Sequence, residues 1–368
     1  MKTTTDVFIA GGGPAGLAAA IAARRKGLDV IVADGAHYPI EKACGEGLMP
    51  GTVQALRELG VEIGKEDGHE FRGIQFVDGK RRVHAEFPGA PAIGVRRRKL
   101  HERMVQAAEK AGATLLWNTP VTAIRSDGAH AGGRFYEPRW IIGADGSQSR
   151  IARWSGLTST LPPKRRFAMQ QHFRITPWSP HVEIYWAAKS QAYVTPVAQN
   201  EICVAMLSRN SHARMEDLLA EHPELAHKLR GIAASSAQRG AVTGTHRLRR
   251  VSKGNVLLIG DASGTVDAIT GEGLRLGFEH ALAAVDAIVS GDLRAYERRH
   301  KKIAQRPGWM SALLLLLDRR PTVRGRVFRA FAEAPQIFEK LLALHVGKSS
   351  PLRALTASAG LGWKLLSA

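Results

Sequence analysis

A chain of 368 residues, 44% hydrophobic and 23% charged, can build one large or two interlocked domains around a sizeable core. Its two cysteines, Cys44 and Cys203, exclude a disulfide scaffold, and their wide spacing does not suggest a metal site. A net charge of +19 suits acidic substrates, an acidic electron-donor protein or an anionic membrane surface, whereas nucleic acid is not expected, because the basic residues are scattered and no nucleic-acid-binding motif accompanies them.

The apolar run 7–10 predicts a strand ending in Gly11-Gly-Gly-Pro14-Ala15-Gly16, followed by an alanine-rich helix over 17–26. Gly11, Gly13 and Gly16 fall on the G-x-G-x-x-G spacing: one glycine for a tight turn, one for close approach of a pyrophosphate, one for packing helix on strand. The N-terminus of that helix, with its unpaired N–H groups, would face the phosphates. A second strand over 29–33 delivers Asp34 about 20 residues past the glycines, where a carboxylate grips a ribose diol. A glycine-rich stretch, 40–51, precedes a helix over 52–59. Alternating runs at 73–77 and 82–87 flank the hairpin signal Asp78-Gly79. A helix over 96–111 and strands at 113–117, 121–125 and 140–143 follow, the last running into Ala144-Asp145-Gly146-Ser147.

Four runs at 167–175, 181–186, 192–196 and 202–207, with no helix between them, predict an antiparallel sheet that roofs a pocket over the nucleotide domain. Helical segments span 214–230. A strand over 255–259 then delivers Gly260-Asp261, and a helix over 272–289 follows. Beyond 291 the chain is basic and helical in pattern, interrupted at Pro307, Pro321, Pro335 and Pro351.

Three motifs thus stand in fixed order: Gly11 to Gly16 with Asp34, then Gly143-Ala-Asp-Gly-Ser147, then Gly260-Asp261. This order resembles the FAD-dependent fold shared by flavoprotein aromatic hydroxylases, flavin-dependent halogenases and geranylgeranyl reductases, over roughly residues 5–290. The resemblance implies an α/β protein in which a Rossmann-like FAD-binding domain (1–70, 96–160 and 250–295) is interleaved with an antiparallel-sheet substrate domain (71–95 and 161–249). A helical, basic C-terminal region (296–368) completes it. It further implies that Asp261 binds the ribityl and pyrophosphate side of FAD, that Asp145 and Gly146 close the pocket near the pyrophosphate, that Arg97 contacts the cofactor, and that Val121 meets the adenine through its backbone.

Two further stretches bear on the subfamily. Thr270-Gly271-Glu272-Gly273-Leu274 resembles the geranylgeranyl reductase pattern, although Ala268 stands where those reductases generally carry proline. Backbone N–H groups of the 271–274 turn would stabilise negative charge on the reduced flavin. Lys42-Ala-Cys44-Gly45 is similar to the Lys-x-Cys-Gly segment on the flavin face of the same reductases, where Cys44 would serve as a catalytic proton donor, or as a thiolate if neighbouring charge lowers its pKa. Cys203, in an apolar strand, reads as core, and His172 as a structural histidine. Tyr185, Trp186, Tyr193 and Pro196 would wall a hydrophobic substrate pocket.

The resemblance implies an FAD-dependent oxidoreductase acting on a hydrophobic small molecule by reducing a C=C bond of an isoprenoid or polyketide-type substrate. A monooxygenase working through a C4a-hydroperoxide is the alternative. With no second G-x-G-x-x-G in the chain, the electron donor would be transiently docked NAD(P)H or reduced ferredoxin. The apolar run 311–317, flanked by Arg306, Arg319 and Arg320, either lies on an anionic membrane or packs as a helix on the substrate domain. No run reaches the roughly 18 apolar residues that span a bilayer, and nothing at the N-terminus resembles a secretion signal. The expected location is therefore cytoplasmic, with peripheral membrane contact as an option.

Overall fold

A computed structural model describes residues 2–125, 127–159 and 165–347. Its first strand, Lys2–Ala10, is central in a parallel sheet of order Val256–Leu258, Arg134–Gly143, Lys2–Ala10, Val30–Ala33, Thr114–Leu116. Val7, Phe8, Ile9 and Ala10 are all buried, so the strand reads as a continuous apolar run and not as an alternation. One face carries the helices Pro14–Arg25, Arg97–Lys110 and Gly273–Ser290, whose Leu17, Ile21, Leu100, Met104, Phe278 and Val285 share a core with Val7 and Ile9. Phe8 and Ala10 point the other way, into a second core with Ala129, Ala131 and Ile151.

The second sheet has seven strands: Arg239–Thr243, Arg166–Phe173, Glu201–Ser208, Ser190–Ala198, His181–Trp186, Gly73–Asp78 and Arg81–Glu86, in that spatial order. It is not wholly antiparallel as predicted. His181–Trp186 lies parallel to Gly73–Asp78, because the early hairpin is laid down before the chain crosses back through the nucleotide sheet and re-enters beside it. The strands Gly47–Leu48, Ala92–Val95 and Gly68–Phe71 tie the two sheets together. At that seam a Cβ on Gly94 would stand 1.8 Å from the Pro196 carbonyl oxygen, so only glycine lets the backbones approach.

Prolines account for two departures in the helices. The predicted segment 214–230 divides into Met215–Ala220 and Pro223–Lys228, since Pro223 cannot continue the first helix but is well suited to start the second. Pro307, predicted to interrupt, instead lies buried within a continuous helix, Leu293–Arg319. One backbone hydrogen bond is forfeited there, and burial of Met310 and Leu317 on the same element outweighs it. Pro321 and Pro335 begin the helices Pro321–Glu333 and Pro335–His345, while Pro351 lies outside the described residues. These last helices bring Phe328, Phe331 and Phe338 against Phe76 and Trp186, with ring centroids 4.7 Å apart for Phe76 and Phe338 and 4.9 Å for Phe331 and Phe338.

Two histidines, His222 buried and His300 half-buried, set an acid limit to the fold. Burial holds His222 and His300 down at about 4, below their ordinary 6.5. A depressed folded-state pKa stabilises above the unfolded value, and that stability is lost as pH falls through the window from about 6.5 to about 4. For His222 the loss amounts to about 3 kcal/mol. Urea midpoints recorded between pH 7 and pH 4 are expected to fall across this window, and less steeply in His222→Gln; a flat profile would contradict the neutral buried state.

Candidate functional site

A cavity of about 1290 Å³ runs between the two sheets, from the first glycine turn to the C-terminal helices. At one end Gly11, Gly13, Pro14, Ala15, Asp34 and Val121 line it. The turn is sterically exacting: a Cβ on Gly16 would fall 1.9 Å from the Gly11 carbonyl oxygen, and one on Gly11, at φ +115°, 2.4 Å from the Ala144 oxygen. Gly13 differs, since a Cβ there would meet no protein atom within 4 Å and would project into open space. Gly16 therefore packs and Gly13 leaves room. Asp34 accepts the Gly12 amide at 2.7 Å and the Ala36 amide at 2.8 Å, and each carboxylate oxygen keeps a further acceptor position.

The three glycine-containing corners meet. A Cβ on Gly260 would stand 2.8 Å from Ala15 Cβ, which places the late Gly-Asp pair directly over the first helix. Gly260, Asp261, Gly271, Gly273 and Leu274 line the cavity from that side. Asp145 accepts the Arg150 and Ile151 amides through Oδ2 and so caps a short helix, while its buried Oδ1 has no partner among the described residues. Buried Arg97 likewise aims an unpartnered Nη1 among cavity-lining groups. Lys42 reaches toward Gly146, 3.7 Å from the position of a Cβ there. Asp261 faces the cavity and is exposed to it; the protein packed around it raises its carboxyl by desolvation, and Lys42 and Arg97 oppose that rise.

A glycine cradle, a carboxylate beside it, orphaned polar atoms on Asp145 and Arg97, and a third corner closing over them fit a dinucleotide flavin, which Gly11 to Gly16 would hold at its diphosphate, Asp34 at its adenosine ribose and Asp261 at its ribityl side. Glu272 does not join them. Its carboxylate turns to Arg275, at 2.9 and 3.1 Å, because the first turn of the helix brings the i,i+3 pair together in a buried ion pair.

Cys44 lies on the cavity wall between Lys42 and Gly45. Burial pushes its thiol upward, more than Arg97 lowers it, so the group is a protonated thiol and not a thiolate. Behind it stands Glu46, which sequence reasoning missed. Glu46 sits at φ +59° and is 2% exposed, its Oε1 accepting the Arg97 amide at 2.7 Å and its Oε2 paired with His172 Nε2 at 2.7 Å. His172 Nδ1 meets Ser236 Oγ at 2.8 Å, and the Glu46 amide donates to Cys44 Sγ at 3.4 Å. One carboxylate thus caps the helix Arg97–Lys110, fixes the Cys44 loop in a left-handed conformation and anchors it to the second sheet. Cys203 lies in the same buried cluster. Glu46→Ala is expected to cost about 3 kcal/mol by leaving a helix-end amide unpaired and taking the carboxylate from the buried His172 Nε2, measured by urea unfolding of the flavin-free protein. Equal stability would mean the cluster does not hold the loop.

His101, also unremarked in the sequence, accepts the Ile40 amide at Nδ1 (3.3 Å) and donates from Nε2 to the Gly12 carbonyl (2.9 Å), pinning the glycine turn; burial keeps it neutral. At the far end, His345 donates from Nε2 to the Thr270 carbonyl at 3.0 Å and borders the cavity.

The aromatic wall divides by strand parity. Trp186 and Tyr193 line the cavity, the latter donating its hydroxyl to the Ile269 carbonyl at 3.2 Å. Tyr185 and Pro196 do not line it. Tyr185 neighbours Trp186 on one strand and must face the opposite side, where its hydroxyl donates to Glu183 at 2.7 Å; Pro196, three residues from Tyr193, is on that opposite face too. Phe71, Ile74, Phe76, Val182, Ile184 and Leu207 extend the apolar wall, and the C-terminal helices close it with Met310, Leu313, Leu314, Leu317, Phe331, Phe338, Leu341 and Leu342.

Comparison with known proteins gives the family and the fold. The FAD binding domain family model matches residues 4–294. A menaquinone reductase of Mycobacterium tuberculosis is 30% identical over 324 residues, covering 79% of this chain and 78% of that protein. Digeranylgeranylglycerophospholipid reductase 1 of Methanothermobacter thermautotrophicus is 27% identical over 337 residues, 81% of this chain and 82% of that one. Among solved structures, the flavin-dependent brominase Bmp2 superposes with a TM-score of 0.80 at 18% identity, covering 98% of this chain and 99% of its own, a likeness of fold.

Proposed function

The chain belongs to the FAD binding domain family and is an FAD-dependent oxidoreductase, and from that premise we propose that it reduces a C=C bond in the isoprenoid part of a quinone- or glycerolipid-type substrate. One observation carries the reading: the cavity that begins at the glycine cradle passes Cys44 and ends in an apolar chamber walled by Leu313, Leu314, Leu317, Phe331, Phe338 and Leu341. That chamber suits a branched hydrocarbon chain, with no charged group required of the substrate at its inner end. The reductases of menaquinone and of digeranylgeranylglycerophospholipid among the relatives support the same substrate class.

When bound, reduced FAD supplies a hydride to one alkene carbon. The protein's own part is the proton and the orientation. Cys44 Sγ–H gives the proton to the other carbon; the Glu46 amide and the Arg97 guanidinium then face the resulting thiolate and stabilise it. Trp186, Phe76 and the C-terminal phenylalanines exclude water and hold the chain flat. Asp261, Asp34 and the first glycine turn anchor the cofactor. The donor that returns two electrons is NAD(P)H, or reduced ferredoxin drawn by the basic surface and acting in two one-electron steps.

Anaerobic mixing of the photoreduced holoenzyme with detergent-dispersed menaquinone tests this. Flavin reoxidation without oxygen, with a product heavier by two hydrogens in its isoprenoid chain, is expected. Reoxidation that waits for oxygen, with a product heavier by one oxygen atom, would overturn the reductase reading in favour of a monooxygenase. Asp261→Ala adds an independent expectation: flavin affinity falls by about tenfold to a hundredfold with little change in flavin-free stability, measured by fluorescence titration with FAD.

A further inference from the structure

Among the described residues beyond 290, no lysine or arginine lines the cavity. We propose that the outer face of the helix Leu293–Arg319 docks the enzyme on an anionic lipid bilayer. The inference rests on the lipid-substrate reading above and concerns a different surface of the same helix.

At 100° per residue, Lys301, Lys302, Trp309, Ala312, Leu316 and Arg319 fall along one side of this helix, and all are exposed. Trp309 is 46% and Leu316 47% exposed, unusual values for residues of that size. The stripe reads basic, apolar, basic: tryptophan and leucine with a small alanine between them, and cations at both ends. Such an arrangement puts Trp309 and Leu316 at the level of the acyl boundary while lysine and arginine meet lipid phosphates. Exposed Arg326 and Arg329 on the next helix extend the positive field.

Charge complementarity selects the partner. From Arg298 to Ala332 the sequence contains one acidic residue, Asp318, and it is buried, bonded to Gln191 and ion-paired with Arg209. The outward face therefore carries no carboxylate to repel an anionic surface, and each cation near such a surface adds to binding. The inward side of the same helix supplies Met310, Leu314 and Leu317 to the cavity wall. An isoprenoid lipid leaving the bilayer would meet a helix that touches membrane on one side and lines its chamber on the other.

The test is sedimentation of the flavin-loaded full chain with vesicles of phosphatidylcholine alone or with one-third phosphatidylglycerol. Binding about tenfold tighter to the anionic vesicles is expected, falling steeply with salt. Trp309→Ala/Leu316→Ser, and separately Lys301→Glu/Lys302→Glu, are each expected to weaken it about tenfold while flavin content and melting temperature stay unchanged. Equal binding to both vesicle types, or anionic binding untouched by the apolar double variant, would overturn the proposal. So would a wild-type dimer in vesicle-free solution that the apolar variant converts to monomer, which would assign the face to a second copy. Turnover of detergent-dispersed menaquinone is read in parallel. Intact turnover with absent vesicle binding removes only the docking surface, and vesicle binding with no turnover removes only the substrate reading.

Discussion

Gly16→Ala is expected to yield a protein without bound flavin and with flavin-free stability lowered by more than about 3 kcal/mol. The Cβ would be placed 1.9 Å from the Gly11 carbonyl oxygen, a backbone atom that cannot swing aside, and 3.3 Å from Ala144 Cβ. To relieve the clash, the helix Pro14–Arg25 must withdraw from the strand that feeds it, which opens the core around Leu17 and Ile21. Gly13→Ala separates packing from ligand space. At φ −71° alanine is unstrained, and its methyl group meets no protein atom. Flavin-free stability should stay within about 0.5 kcal/mol, while FAD affinity falls about tenfold to a hundredfold, because the methyl occupies the path of the diphosphate. Visible absorbance of the purified variants, FAD titration and urea unfolding distinguish the two cases. If Gly13→Ala binds FAD as tightly as wild type, the diphosphate does not lie against this turn.

What the sequence makes legible follows from how local each signal is. The glycine turn, Asp34, Asp145-Gly146 and Gly260-Asp261 are short motifs whose residue types are dictated by sterics and phosphate chemistry, and all line the same cavity. Strands with uniform burial, such as Val30–Ala33, announce a covered parallel sheet through unbroken apolar composition. The misses are long-range. Glu46 looks like one acidic residue in a flexible glycine stretch until folding brings His172, 126 positions away, to its carboxylate. Its positive φ adds no sequence signature, since glutamate seldom adopts that region. Tyr185 and Pro196 fall outside the wall for a simpler reason: period-two alternation separates them from Trp186 and Tyr193, and aromatic composition alone conceals parity. Pro307 shows tertiary burial overriding a helix-breaking residue.

Cys44→Ala is expected to leave flavin binding and flavin photoreduction unchanged while slowing hydrogen transfer to menaquinone by about 10²–10⁴-fold, the range of a lost general acid. The thiol is small, lines the cavity and accepts a hydrogen bond from the Glu46 amide, so its removal disturbs little else. Cys44→Ser should recover only part of the loss, because a hydroxyl is a far weaker acid than a thiol. Cys203→Ser, buried on the second sheet, should be close to wild type in rate and serves as the control for the only other cysteine. The pH profile carries the sign. Burial raises the Cys44 thiol above its ordinary 9.0, so the proton is in place throughout the neutral range and transfer should slow only on the alkaline side of that value. Glu46→Gln keeps an acceptor for the Arg97 amide but removes the negative charge nearest the thiol. With Arg97 no longer opposed by that carboxylate, the alkaline limb should move to lower pH. A Cys44→Ala enzyme as fast as wild type would assign the proton to water or another wall residue. An alkaline limb that moves upward in Glu46→Gln would show that the carboxylate does not act on Cys44 through its charge.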